Sequence, residues 1–297
     1  MRSAAFTSFS QDHLEYHKTM YNYLKAKLTL FTRNLINGGE AVINSDMIFF
    51  NFIKNFLLKN NISICTVGTQ GDLMIIQNKQ SLTGQSVSFK YQNKIYKFTT
   101  SIIGSFQAIN LLIAAKLVNN LDINFNRIIS ILPMIKSVVG RLQRITNVTN
   151  QYQVFVDYAH TPDALQQTLQ ELKVLKKDKG DLHVIFGCGG ERDKTKRSLM
   201  GKIASNIANK VIITDDNPRT EDPEEIRMQI KKTAINAEEI ANRKKAIINT
   251  ITRLKKNDIL LIAGKGHENY QIIGKTKFIF SDIEIARCAV QRDLKLR

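Results

Sequence analysis

Two kinds of apolar spacing divide the chain. In its later part, short apolar runs at 154–156, 182–186, 211–214 and 259–263 show no polar alternation, as expected for strands covered on both faces. Helical spacing recurs between them. Leu165, Leu169, Leu172 and Leu175 follow a Thr161-Pro162-Asp163 opening, which supplies a cap residue, proline at the first helical position and an acid in the first turn. Asp222-Pro223-Glu224-Glu225 repeats that opening before Ile226, Ile230 and Ala234. A short hairpin over 270–280 and a helix from Asp282 close the chain. Strand followed by helix, repeated, predicts a doubly wound, Rossmann-like α/β domain.

The earlier part is less regular. Residues 4–9 read as a short strand, 41–43 as a strand, 46–59 as a helix and 62–67 as another strand. Alternation over 73–99 (Val87, Phe89, Tyr91, then Ile95, Tyr96, Phe98) predicts a β-hairpin around Asn93-Lys94. A helix over 104–118 follows a glycine turn, with Gln107 and Asn110 on one face. Between them, Met20, Tyr23, Leu24, Leu28 and Phe31 form a helical apolar stripe that contains Lys27. A lysine there must snorkel to water, find an anion or lose its charge. Residues 133–141 break the pattern, so the expected domains are 1–139 and 140–297.

Composition narrows the class. The 297 residues, 43% hydrophobic, suffice for two domains with cores, and no apolar run reaches the about 18 residues of a spanning helix. The N-terminus lacks the apolar core of a signal peptide, and the three widely spaced cysteines suit free thiols in a reducing cytoplasm. A net charge of +17 could mean phosphate-backbone binding or steering of small anions. The lysines are scattered and no nucleic-acid motif occurs, so neither nucleic acid nor membrane is an expected partner.

Four strand ends of the second domain carry polar signatures: 157–160, 187–192, 215–219 and 264–268. In open α/β sheets ligands bind outside the carboxyl ends of strands, so the four converge on one rim. Arg192 and Arg219 suit carboxylates, and Glu268 with Asp216 and Asn217 could hold an ammonium, which together fit a zwitterion. Upstream, His13 and His17 stand at a spacing that could hold a metal on a helix or leave two surface histidines on a turn.

The motifs DYAHTPDAL (157–165), GCGGERDKTKRSLMG (187–201), DNPRTEDP (216–223) and GKGHENYQ (264–271), with SQDHLEYH, GSFQAIN and VVGR upstream, closely resemble those of the Mur ligases. Within that family the resemblance is to the branch that adds the third residue of the peptidoglycan stem peptide. It implies ATP- and Mg²⁺-dependent amide formation on UDP-MurNAc-L-Ala-D-Glu through an acyl phosphate, with meso-diaminopimelate as the incoming amino acid. It further implies that Arg192, Asp216, Asn217, Pro218, Arg219, Gly264 and Glu268 contact diaminopimelate. Lys27 would be carbamoylated and position Mg²⁺, His13 would be a Mg²⁺ ligand, Asn110, Arg141 and Asp157 would surround ATP, and His160 would lie nearby in a catalytic position. Gln107 stands where the family usually has Asn.

Family members also carry a UDP-binding domain and a phosphate loop ahead of this region, and no G-x-x-x-x-G-K-[ST] occurs in the sequence. The expected first domain is therefore an incomplete central ATPase-type α/β domain. Loss of one preorganised donor elsewhere lowers rate by about 10²–10³, so the chain alone is expected to be essentially inactive. Two readings follow: a ligase portion whose front part a separate chain supplies, or a non-catalytic remnant that binds diaminopimelate or nucleotide without turnover.

Overall fold

A computed structural model describes residues 1–147, 150–176 and 180–296, which form two compact units, Met1–Lys136 and Ser137–Arg297.

The first unit contains, in order, β1 (Ser3–Phe6), α1 (Leu14–His17), α2 (Met20–Asn34), β2 (Glu40–Asn44), α3 (Phe50–Lys59), β3 (Ser63–Gly68), β4 (Leu73–Ser81), β5 (Gly84–Tyr91), β6 (Lys94–Thr100), α4 (Ser105–Asn119) and α5 (Phe125–Ile131). Its six strands lie in the order β1-β2-β3-β4-β5-β6, parallel through β4 and antiparallel beyond. Alternate residues of β2 serve opposite faces. Ala41 and Ile43 join Leu24, Leu28, Phe31, Ile53 and Leu57 under α2 and α3, whereas Val42 joins Leu111, Leu112 and Ala115 of α4. Both faces of the parallel part are thus covered, which explains the weak alternation of its strands.

Several expected boundaries move. β1 stops at Phe6, and the carbonyl of Thr7 accepts the Asn44 side chain at 2.9 Å. The helix expected from Asp46 begins at Phe50, because the Asp46 carboxylate receives Thr69 N at 2.8 Å and ties one loop to another instead of capping a helix. The single hairpin expected over 73–99 is a three-stranded meander. Its first turn precedes Gly84, where a Cβ would strike the Thr100 carbonyl, so glycine is required there. His13 has φ 56° and precedes the one-turn α1, so of the two arrangements open for His13 and His17 the structure shows His13 on the turn before the helix.

The second unit contains β7 (Gln143–Arg144), β8 (Gln153–Asp157), α6 (Pro162–Lys176), β9 (Leu182–Phe186), α7 (Thr195–Ile207), β10 (Lys210–Ile213), α8 (Pro223–Lys231), β11 (Glu238–Glu239), α9 (Arg243–Arg253), β12 (Ile259–Ala263), β13 (Tyr270–Ile273), β14 (Thr276–Ile279) and α10 (Asp282–Leu296). The sheet order is β11-β10-β9-β12-β8-β7, parallel except for β7. α9 and α10 pack against each other over one face through Ala246, Ile247, Ile251, Ile283 and Ala286, while α6, α7 and α8 form a separate packed row. The chain passes from β8 to β9, and β12 later returns between them. The direction of strand progression reverses with β12, and in open α/β sheets ligands bind beyond the strand ends at such a point.

Candidate active site

Hydrogen bonds link the four strand-end loops of the second unit into one rim. Gly264 N donates to Asp157 O at 3.1 Å, Thr214 N to Phe186 O at 3.0 Å, and Gly190 N to Asn217 O at 2.9 Å. Asn217 Nδ2 then reaches Glu268 Oε2 at 3.1 Å, joining the loops after β10 and β12.

The small hairpin β13–β14 clamps the loop after β10. Gln271 Nε2 donates to Asp216 O at 2.7 Å, Ile272 N to Asn217 Oδ1 at 2.9 Å, and Arg219 N to Ile272 O at 3.1 Å. Arg219 is held at φ 53°, a conformation uncommon for a residue with a side chain. That turn sends its guanidinium back over the glycine loop, where Nη1 donates to Gly190 O at 2.7 Å. Gly189 shows how close the arginines are. A Cβ built there would lie 3.0 Å from Arg219 Nη1 and 3.6 Å from Arg192 Cγ. At Gly264, φ is 114° and a Cβ would lie 2.9 Å from Asp216 Oδ2. The rim therefore brings Arg192, Arg219, Asp216, Asn217, Gly264 and Glu268 into one contiguous patch, and Pro218 between Asn217 and Arg219 is buried. Its arginines flank Gly189, and its acids lie beside Gly264 and Asn217.

A second cluster adjoins β8. Arg141 lies over the Tyr158 ring with Cζ at 4.5 Å from its centroid, and Tyr158 contacts the rings of His160 and His267. His160 Nδ1 is 2.9 Å from Tyr158 O. The buried Asp157 accepts Leu142 N at 2.5 Å and Ala159 N at 2.7 Å. Burial raises its pKa, and those two amides and Arg141 oppose the rise. Gly140 has φ 69° and packs directly on the backbone of Gly266 and His267, which brings VVGR, DYAH and GKGHE together.

The first unit holds the remaining candidates. Lys27 is half-buried, its ammonium 5.3 Å from the centroids of both Phe6 and Tyr23. Burial lowers its pKa and the charge of Asp12 partly counters that. The other side of the story is Tyr23, whose ring stacks on His17 at 5.0 Å and meets His13 edge-on at 5.9 Å, so one ring connects His13 with Lys27. A cavity of about 400 Å³ beside Lys27 is lined by Ala5, Phe6, Ser8 and Ala26 along the open edge of β1. His13 is exposed and lies 3.4 Å from Asp12. Among the described residues no three His, Cys, Asp or Glu side chains gather to hold a metal. Asn110 lies on α4, its Nδ2 at 3.4 Å from Gln107 Oε1.

Residues 1–118 match the family described as Mur ligase middle domain, and residues 140–266 match Mur ligase, glutamate ligase domain. The chain belongs to the Mur ligase family. Two curated relatives are named UDP-N-acetylmuramoyl-L-alanyl-D-glutamate--2,6-diaminopimelate ligase. That of Rickettsia bellii (strain RML369-C) is 54% identical over 285 residues, covering 95% of this chain and 59% of the relative. That of Zymomonas mobilis subsp. mobilis is 42% identical over 293 residues, covering 97% and 60%. A solved structure of an enzyme of the same name is 34% identical with a TM-score of 0.61, covering 98% of this chain and 60% of that one. The MurF ligase of Thermotoga maritima, solved in complex with ADP, shares the fold at 16% identity and TM-score 0.74. This Mur ligase chain thus spans about 60% of the length of the relatives it matches. No helix among its described residues is long and apolar enough to cross a membrane.

The sequence left four contributors to the rim unassigned. Lys265, inside GKGHE, has no exposed surface and bonds Asn217. Tyr270 stands beside Glu268, whose charge raises the Tyr270 pKa. Arg243 and Asp282 form a buried pair behind Asp216. Lys265 carried a signal, since a lysine between two glycines at a strand end serves neither strand nor helix. Arg243 carried none, as the first of three consecutive basic residues.

Proposed function

We propose that this chain is the middle and C-terminal part of an ATP-dependent ligase that attaches meso-diaminopimelate to UDP-MurNAc-L-Ala-D-Glu through an acyl phosphate. One observation carries the reading: Arg192 and Arg219 flank Gly189 on the same rim that presents Asp216 and Glu268. A diamino diacid offers the complementary charges, and a fork-shaped guanidinium matches a carboxylate. Glutamate must first be activated because its carboxylate oxygen is a poor leaving group; phosphorylation supplies a better one, which the incoming amine displaces.

In this proposal Arg192, Arg219, Asp216, Asn217, Pro218, Gly264 and Glu268 bind diaminopimelate, while Asn110, Arg141 and Asp157 surround ATP and His160 lies close by. Mg²⁺, bound, would neutralise charge on the transferring phosphoryl group. His13 and a carbamate on Lys27 would supply two of its ligands; a magnesium site commonly completes itself with water and nucleotide phosphate. The Lys27 surroundings favour that modification, because only the neutral amine adds CO₂. A pKa below the ordinary lysine value leaves more neutral amine at any pH beneath it. Incubation with ¹³C-bicarbonate is expected to give a carbamate carbonyl resonance that is missing in Lys27→Arg; identical spectra would remove the carbamate from the account.

The rest of the relatives' length, continuous with this chain or on a separate polypeptide, would supply the phosphate loop and the UDP-binding part. The open edge of β1 supports this, since an unpaired strand is a template for another. The alternative reading is that the chain binds diaminopimelate or nucleotide without turnover. The test is phosphate release from ATP in the presence of meso-diaminopimelate, UDP-MurNAc-L-Ala-D-Glu and a front fragment of a relative. Release that requires both substrates supports the ligase. Silence, with diaminopimelate still bound, supports the alternative reading.

A further inference from the structure

Lys265 follows the strand end at Ala263 by two residues, yet none of its surface is exposed. An ammonium has three protons, and here each finds an acceptor. Nζ donates to Asn217 Oδ1 at 2.8 Å, to Tyr270 O at 2.8 Å and to Glu268 Oε2 at 3.4 Å. Lys265 therefore has nothing left for a ligand. A buried charge is costly to retain, and an apolar side chain would fill the same space.

What the ammonium does is set the rotation of one amide. Asn217 Oδ1 receives Lys265 Nζ and the Ile272 N–H, at 2.8 and 2.9 Å. Two donors on one side require oxygen there, so the amide nitrogen must face Glu268 Oε2, 3.1 Å away. Glu268 is then held by one oxygen. Its other oxygen, Oε1, meets among the described residues only the Tyr270 hydroxyl, at 3.5 Å, which is the outer limit of a hydrogen bond. Without the ammonium, the Ile272 N–H alone holds Oδ1, so the Asn217 amide is freer to turn and its hold on Glu268 loosens.

We propose that Lys265 is a positioning residue for ligand specificity: it fixes the Asn217 amide and thereby aims Oε1 of Glu268 at the ligand's ammonium without touching the ligand. This rests on the diaminopimelate reading of the rim. Lys265 serves the ammonium half of the site, whereas Arg192 and Arg219 serve the carboxylate half.

The experiment uses two probes on the full chain, meso-diaminopimelate and pimelate, the same diacid without its amino groups, titrated by NMR. Lys265→Met is expected to weaken diaminopimelate roughly tenfold or more, the effect of one charge-assisted hydrogen bond, and to leave pimelate within about twofold. A merely structural lysine would weaken both probes together. Asn217→Asp, which keeps an acceptor for Lys265 but loses the donor to Glu268, is expected to show the same selective loss. The double variant is expected to be no weaker than either single one, because both act through Glu268. Equal losses for the two probes, unchanged diaminopimelate binding in Lys265→Met, or losses that add in the double variant overturn the proposal. Should Lys265→Met not fold, Lys265→Gln, which is neutral and shorter, decides by the same comparison of the two probes. Failure of the diaminopimelate reading shows separately, as a wild-type chain that binds neither probe.

Discussion

Replacing Arg219 with alanine is expected to weaken meso-diaminopimelate binding by at least about thirtyfold while changing L-lysine binding less than about threefold. The two ligands differ by the distal carboxylate, so the comparison isolates the group that an arginine would recognise. Arg219 is half-buried, and Nη1 is anchored on the Gly190 carbonyl at 2.7 Å, which pre-sets the plane of the fork. Removing one member of a desolvated, hydrogen-bonded charge pair typically costs about 2–5 kcal/mol, more than any rim charge. Alanine pays the same penalty at φ 53° as arginine does, so backbone strain does not confuse the comparison. Arg219→Lys keeps the charge but not the fork, and is expected to fall between. Calorimetric titration of both ligands checks the result. Equal losses for the two ligands would remove Arg219 from the carboxylate.

Asp282→Ala is expected to lower the stability of the second unit by about 3–5 kcal/mol, which corresponds to a fall in Tm of roughly 6–20 °C for a unit of this size. Asp282 and Arg243 have no exposed side-chain surface, and the pair is bidentate, with Nη2 to Oδ2 at 2.7 Å and Nε to Oδ1 at 2.8 Å. Arg243 also donates to Ala263 O at 2.8 Å, so one guanidinium joins the starts of α9 and α10 to the end of β12. Burial works against the charged guanidinium, yet Asp282, together with Asp216 and Glu268, outweighs it and raises the pKa of Arg243. Its Nη1 has no hydrogen-bond partner among the described residues and lies 4.0 Å from Asp216 Oδ2. Removing Asp282 would leave that cation buried with only the more distant Asp216 as a counter-charge. The double variant Arg243→Met/Asp282→Leu is expected to recover most of the loss, since well-packed apolar pairs often replace buried ion pairs without penalty. Thermal unfolding of the three variants checks this, and a double variant as unstable as Asp282→Ala would show that the pair is not the cause.

The second unit was the more legible because its strands are continuous apolar runs and its loops hold glycines and charges that neither strands nor helices favour. Residues 182–186 and 259–263 become β9 and β12 at those boundaries. α9 was missed although Ala246, Ile247, Thr250, Ile251 and Leu254 follow helical spacing, because basic residues at 243–245 and 253 bound the stripe and Asn249, Thr250 and Thr252 interrupt it. In the first unit, local signals were overruled by contacts distant in sequence. Asp46 was expected to open a helix and instead holds Thr69, 23 residues away. Lys27 could be placed on an apolar stripe from spacing, but its position over Phe6 depends on β1 lying beside α2, which spacing does not encode. The same holds for the rim. Arg219 could be singled out by residue type, whereas its left-handed turn depends on β13, a strand more than 50 residues later.

The central claim is that one diamino diacid lies across this rim. A crystal structure of the chain grown with meso-diaminopimelate tests it most directly. The account predicts one carboxylate on the Arg219 fork near Gly189 and an ammonium at Glu268 Oε1. A ligand ordered elsewhere, or one that leaves both Arg219 and Glu268 untouched, would contradict it.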